Sequence, residues 1–500
     1  MRRNGDREWS FRLIGLLIGW AALAIVVVAV TGCERGDNPP PDTTPCNIVL
    51  IVIDTLRADH LGSYGYFRDT SPNIDAFADE AVLFDQAYAP MATTLPSHTS
   101  LFTGLHPVEH GILANVGDGG HPFRSKPGLR TITQYAKEAG YATAAFIGAV
   151  PLKRVCGLDA GFDTYVEPDG AQADAGPTTD AVLKWLDEHG RERFFAFVHY
   201  FDTHVPYTPP PPYRGMFESD DMLRAYIAER AIPPVVEPGL CRGRVATFTE
   251  RATNLYDGEV RYCDAHVGRL LDSLRERGLW DKSLIIIAAD HGEGLNQHAW
   301  PQHGRNWNEQ VHVPLMFRPP GGRGGLPARV GSLVTLMDVF PTVLGVMKPG
   351  WASSYVDQAT GRDVLGADFV ERPVLARRSL RDCGEFGGPL FSLTTPDWRY
   401  HYFSADKELL FGRASDPFEL HDVAGSNAAV AGELRRQTLE LVAKYEKHRT
   451  EVGVDASGAV QLDPALQRQM ESIGYLGGSS PDDDEEEEPA SQPSAGDAGP

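Results

Sequence analysis

Two short apolar runs constrain what this 500-residue chain can fold into more than any other feature. Asn47–Asp54 reads NIVLIVID, and Ser283–Glu293 reads SLIIIAADHGE. Each is rich in β-branched residues, nearly free of polar ones, and closes on an acid. A strand with one wet face alternates apolar and polar side chains. An unbroken apolar run means both faces are covered, as in the centre of a parallel sheet. In such sheets functional side chains gather at the carboxyl ends of the strands. Asp54, Asp290 and His291 stand at those ends. Around them the pattern alternates. Helices are predicted over Ser71–Phe84, Gly128–Gly140, Ala181–His189 and Thr249–Arg277, and strands over Thr143–Ile147 and Phe194–His199. That alternation predicts an α/β sheet with helices on both faces.

A third stretch, Thr93–Pro107, reads TTLPSHTSLFTGLHP. Hydroxyl residues and a proline ahead of an apolar turn mark a helix N-terminus. Free N–H groups and the positive end of the dipole suit an anionic ester there. Thr94 would put a hydroxyl at that point. Two carboxylates, an imidazole and a hydroxyl also suit a divalent cation. His204 sits on the loop after Phe194–His199, and His303 heads HGRNWNE. His298 is an alternative to His303 or a ligand of a second metal. Asp202 could orient His204 or approach the metal. Arg57, Asp59 and His60 read as an internal ion-pair cluster holding the loop after Asp54, while His110 and His312 read as structural.

Several further stretches carry a family likeness. They are IVLIVIDTLRADHLGSYGY, LPSHTSLFTGLHPVEHG, TITQYAKEAGYATAAFIGAVPL, FFAFVHYFDTHVPYTPP, IIIAADHGEGL, HGRNWNEQVHVPLMF and LMDVFPTVL, in that order over roughly residues 47–345. Together they resemble the sulfatase family of the alkaline phosphatase superfamily. The resemblance implies a mainly parallel sheet sandwiched by helices, with a smaller C-terminal antiparallel sheet and helix. It implies an enzyme cleaving sulfuric or phosphoric esters with a divalent ion (Ca, Mn, Mg or Zn) on Asp54, Thr94, Asp290 and His291. It places His204 on the ester oxygens and His303 near the leaving group. The sequence also departs from the family. The box that begins with Cys or Ser in working sulfatases, and yields formylglycine, reads Thr94-Leu95-Pro96-Ser97-His98. Threonine oxidation would give a ketone, so no formylglycine is expected. His98 replaces the usual Arg of that box, Thr55 the second Asp of the usual pair, and the Lys-x-His motif is absent. What remains resembles phosphodiesterases and phosphoglycerol transferases that use a threonine nucleophile. On that reading Thr94 attacks, His98 and His204 steady the equatorial oxygens, and His303 protonates the departing alkoxide. A phosphodiesterase or phosphotransferase acting on an envelope substrate, or a non-catalytic binding lipoprotein of the same fold, are the alternatives.

The ends of the chain suggest where it works. Basic residues precede the apolar run Leu13–Val30, and Val30-Thr31-Gly32-Cys33 resembles a bacterial lipoprotein cleavage box. A lipid-anchored envelope protein is expected, with an uncleaved N-terminal anchor or plain secretion as alternatives. The expected divisions are 1–33 signal and lipobox, 34–46 tether, 47–365 catalytic domain, 366–478 C-terminal subdomain and 479–500 acidic tail. The net charge is −22, and the tail from Pro481 holds eight acids and no base, so removing it leaves −22 + 8 = −14. An acidic body argues against nucleic acid as partner. The expected partners are a small-molecule, glycan or lipid ester and the membrane. Of the six cysteines, Cys33 is assigned to lipid, and Cys241 with Cys263 is the nearest candidate disulfide pair.

Overall fold

The computed structural model describes residues 46–230, 250–348, 358–380, 388–454 and 464–472. The signal, lipobox and tether up to residue 45, Cys241, Cys383 and the acidic tail lie outside these ranges. Among the described residues no helix is long and apolar enough to cross a membrane.

Eight strands form the main sheet: β1 Asn47–Ile53, β2 Val82–Tyr88, β3 Ala142–Phe146, β4 Thr164–Val166, β5 Phe194–Tyr200, β6 Ser283–Ala289, β7 Leu315–Arg318 and β8 Arg329–Thr335. Their order is β4-β3-β5-β1-β6-β7-β2-β8, and only β7 runs against its neighbours. Strands β1, β5 and β6 are buried along their whole length, as their unbroken apolar runs require. Register positions the site. Ile53 pairs with Ala289 across β1 and β6, so the next residues, Asp54 and Asp290, emerge side by side. Helices α1 Pro72–Glu80, α2 Thr94–Thr103, α3 Ile132–Glu138, α4 Ala175–His189, α5 Glu250–Glu276 and α6 Val339–Met347 flank the sheet.

The helix expected over Ser71–Phe84 stops at Glu80, and Val82-Leu83-Phe84 belongs to β2. Val82 and Leu83 pair with β7, and Leu83 and Phe84 with β8. Tertiary pairing of a β-branched and aromatic segment overrides the helical spacing there. Helix α4 begins six residues before the expected Ala181. Cys263 is a free, buried thiol on the core side of α5, and its candidate partner Cys241 lies outside the described residues.

A second sheet, β9 Val374–Arg377, β10 Phe391–Thr394, β11 Trp398–Ser404 and β12 Lys407–Gly412, is antiparallel throughout. Helix α7, Ala428–Glu451, covers it and shares a core containing Leu393, Tyr400, Leu410 and Leu434. The helix Pro464–Ser472 returns to the main domain, where Gln469 Oε1 accepts from Lys153 Nζ at 3.1 Å.

Candidate active site

The sheet delivers two carboxylates and an imidazole to one buried point. Asp54, Asp290 and His291 are fully buried. Asp290 Oδ1 accepts from the backbone N–H of Thr55 (3.1 Å) and of His291 (2.8 Å). Thr55 adopts φ 53, unusual for a β-branched residue, and this conformation aims its N–H at Asp290. His291 Nδ1 lies 2.9 Å from the Gly292 carbonyl, which can only accept, so Nδ1 carries the proton and Nε2 keeps its lone pair. That Nε2 is 3.3 Å from Asp290 Oδ2 and 4.0 Å from Asp54 Oδ1. Among the described residues none of these three atoms has a hydrogen-bond partner. Atoms sharing a cation at usual ligand distances stand about 3–4 Å apart, so this trio fits a divalent ion.

The electrostatics agree with the geometry. Burial, with Glu293 adding its charge, pushes the Asp54 carboxyl well above the usual range. Burial and the facing Asp54 push Asp290 up in the same way. Burial holds His291 neutral, well below its ordinary value. Two acids that resist ionising beside a neutral imidazole form a site that a cation stabilises.

Thr94 enters from α2. Its Oγ1 donates to Asp54 Oδ2 at 3.3 Å. Two side chains fix the start of that helix. Ser97 Oγ donates to the Asp290 carbonyl (2.6 Å), and Asn115 Oδ1 accepts from the Leu95 N–H (2.8 Å). The first-turn N–H of Leu95 is therefore satisfied rather than open. Asn115 Nδ2 is buried without a partner among the described residues.

The other predicted residues converge on the same centre. His98 is fully buried, its Nδ1 2.8 Å from the Thr94 carbonyl and 3.5 Å from Asp290 Oδ2. The His303 ring lies 4.5 Å from that of His291, with Nδ1 3.5 Å from Glu293 Oε2. His204 stacks on Phe201 at 4.3 Å and meets His303 at 5.1 Å. Asp202 accepts from the Ala175 N–H (2.8 Å) at the start of α4, while His204 Nδ1 bonds the Val205 carbonyl (2.6 Å). Arg57 grips Asp59 through two bonds, and His60 Nδ1 meets Asp257 at 2.7 Å, so this loop is internally tied as its charges suggest. His298 belongs to a different group with Glu309 and Glu419. There His298 Nδ1 meets Glu309 (3.1 Å), while Arg399 Nε (2.7 Å) and His401 Nε2 (2.8 Å) occupy Glu419, so protein groups satisfy the cluster.

Sequence reasoning missed three neighbours of the centre. His199, whose Nε2 is 3.2 Å from Asp54 Oδ2, sat inside a run read only as strand. Burial drives its pKa down to about 3, so the ring is neutral. Asn115 lies in a loop with no local signature. Glu293, fully buried, was seen only as the end of an apolar run.

The family profile described as Sulfatase matches residues 46–349. The chain belongs to the sulfatase family. Human iduronate 2-sulfatase is 28% identical to this sulfatase-family chain over 397 residues, covering 67% of it and 70% of the human protein. An arylsulfatase of Clostridium perfringens (strain 13 / Type A) is 23% identical over 363 residues, covering 60% of this chain and 74% of its own length. The crystal structure of the phosphonate monoester hydrolase of Agrobacterium radiobacter superposes with a TM-score of 0.63 at 21% identity, covering 80% of this chain and 96% of that one. The fold is thus the alkaline-phosphatase-like one, and the protein is a sulfatase-family hydrolase of the sulfuric or phosphoric ester class.

Proposed function

We propose that this protein is an exported, metal-dependent ester hydrolase whose nucleophile is Thr94. One observation carries the reading. Asp54 Oδ1, Asp290 Oδ2 and His291 Nε2, all buried and without hydrogen-bond partners among the described residues, converge beside a threonine hydroxyl at a helix start. A divalent ion held there by Asp54, Asp290, His291 and Thr94 supplies Lewis acidity toward the ester oxygens and the hydroxyl.

The chain's own groups perform the remaining work. Asp54 Oδ2 accepts the Thr94 hydrogen bond and is placed to take the proton as Oγ1 attacks. The new bond joins Oγ1 to phosphorus or sulfur, and the bond to the leaving alkoxide breaks. His303, in the wall beside His291, protonates that alkoxide, and His204 next to it holds ester oxygens. His98 lies against Asp290 and the Thr94 carbonyl, so its support runs through the carboxylate and the nucleophile's helix. Water, or an acceptor alcohol, then releases the group from Thr94.

A threonine that cannot become formylglycine favours phosphorus esters. The sulfatase relatives favour a second reading, sulfate esters, with glycans as the substrate class suggested by an iduronate sulfatase. The lipobox and apolar N-terminal run support export and lipid anchoring to the bacterial envelope.

The test compares an aryl sulfate, an aryl phosphate and a bis-aryl phosphate as substrates of protein loaded with Mn²⁺, Ca²⁺, Mg²⁺ or Zn²⁺. Metal-dependent phosphodiester cleavage is the expected result. Turnover of the sulfate alone selects the second reading. Absence of metal uptake points instead to a binding module.

A further inference from the structure

The two oxygens of Asp54 face different neighbours, and one buried imidazole separates them. Oδ1 has no hydrogen-bond partner among the described residues and faces the ligand atoms of Asp290 and His291. Oδ2 takes Thr94 Oγ1 at 3.3 Å and His199 Nε2 at 3.2 Å. The second contact follows from register. His199 on β5 pairs with Val52 on β1, and the Asp54 N–H continues that ladder by donating to the Tyr200 carbonyl (2.9 Å). Val52 and Asp54 are two residues apart, so the side chains of His199 and Asp54 share one face of the sheet.

The ring is fixed as well as placed. His199 is fully buried, with the His98 ring 5.1 Å away and those of Phe201 and Phe197 at 6.2 and 6.3 Å. With a cation bound, Asp54 is ionised and can only accept, so Nε2 then carries the proton. Nδ1 is then left buried without a partner among the described residues. An orphaned buried polar atom costs about 1–3 kcal/mol, which an apolar side chain of similar size would not incur. Among the described residues, the polar contact its side chain makes is with Asp54 Oδ2.

We propose that His199 is a positioning residue that holds Asp54 monodentate, Oδ1 toward the cation position and Oδ2 toward Thr94 Oγ1. This rests on the reading of Asp54, Asp290 and His291 as a cation site. Without the Nε2 bond, the carboxylate can turn about Cβ–Cγ and offer both oxygens to the ion. Thr94 Oγ1 then loses an acceptor aligned for its proton.

Two variants of the full chain test this. His199→Leu removes the donor and keeps the bulk. His199→Gln puts an amide Nε2–H at about the reach of the imidazole Nε2. The readouts are kcat and KM on a bis-aryl phosphate, Mn²⁺ affinity by equilibrium dialysis, and the visible spectrum of the Co²⁺-loaded protein. Partners of metal ligands typically contribute about 10–100-fold in affinity or activity, so His199→Leu should lose that much in kcat with KM little changed, and should alter the Co²⁺ spectrum. His199→Gln should recover most of the activity and the wild-type spectrum. A Leu variant with unaltered kcat and spectrum overturns the proposal, as does a folded Gln variant that fails like Leu. Wild-type protein that takes up neither Mn²⁺ nor Co²⁺ removes the cation reading itself, and this inference with it.

Discussion

Replacing Asp54 with asparagine should change the sign of its effect on stability according to whether metal is present. The ligand atoms of Asp54, Asp290 and His291 lie within 4.8 Å of one another. Two full charges at 4.8 Å repel by about 3.5 kcal/mol at an effective dielectric constant of about 20. The metal-free protein avoids part of that by retaining a proton, which leaves a net penalty of about 1–3 kcal/mol at neutral pH. Asp54→Asn removes the repulsion. Its amide oxygen can accept from Thr94 and His199 as Oδ2 does, and its NH₂ can face Asp290 Oδ2. In EDTA the variant should therefore unfold at higher denaturant than wild type. With a cation at about a hundred times its dissociation constant, wild type gains about 2.7 kcal/mol and the variant, lacking an anionic ligand, gains little, so the order reverses. Both carboxyls are raised in the folded state. Metal-free wild type should thus lose stability as pH climbs from the ordinary carboxylate range through those raised values, and Asp54→Asn should flatten that slope. Guanidinium unfolding across pH, in EDTA and in excess Mn²⁺, reads all of this. A variant less stable than wild type in both buffers would refute the reasoning.

Three further outcomes are expected. Asn115→Ala strips the acceptor from the Leu95 N–H at the start of the nucleophile's helix and should cost about 1 kcal/mol in denaturant unfolding, whereas Asn115→Asp, which keeps an acceptor, should lose less. Glu419→Ala leaves Arg399 and His401 without their shared carboxylate and should cost about 3–5 kcal/mol, seen as a lowered unfolding midpoint with little effect on metal content. Cys33→Ala should move the full-length protein out of the detergent-soluble membrane fraction or leave it as an unprocessed precursor; unchanged processing and membrane recovery would rule out the lipid anchor.

Much of the centre was legible because the sequence advertises burial. Asp54 and Asp290 end runs so apolar that both faces of their strands had to be covered, and a charged residue closing such a run has few roles besides function. Thr94 was legible because a proline-bearing helix start follows it directly. His199 was not, since an imidazole one residue from the end of FFAFVHY looks like any core strand position until register sets it against Asp54. Asn115 meets the helix only through tertiary structure, twenty residues from Leu95 in the chain. The overrun of the first helix into β2 has a similar cause, because the partners of Val82 and Leu83 lie more than two hundred residues away on β7 and β8.

The central claim is that Thr94 forms the covalent intermediate. The most direct measurement is rapid acid quenching of metal-loaded protein during turnover of an aryl phosphate or bis-aryl phosphate, followed by peptide mass analysis. The account predicts an adduct on the Thr93–Pro107 segment, about 80 Da when the aryl phosphate is used, localised to Thr94 and absent from a folded, metal-binding Thr94→Ala variant without turnover. Wild-type turnover by Thr94→Ala would contradict it.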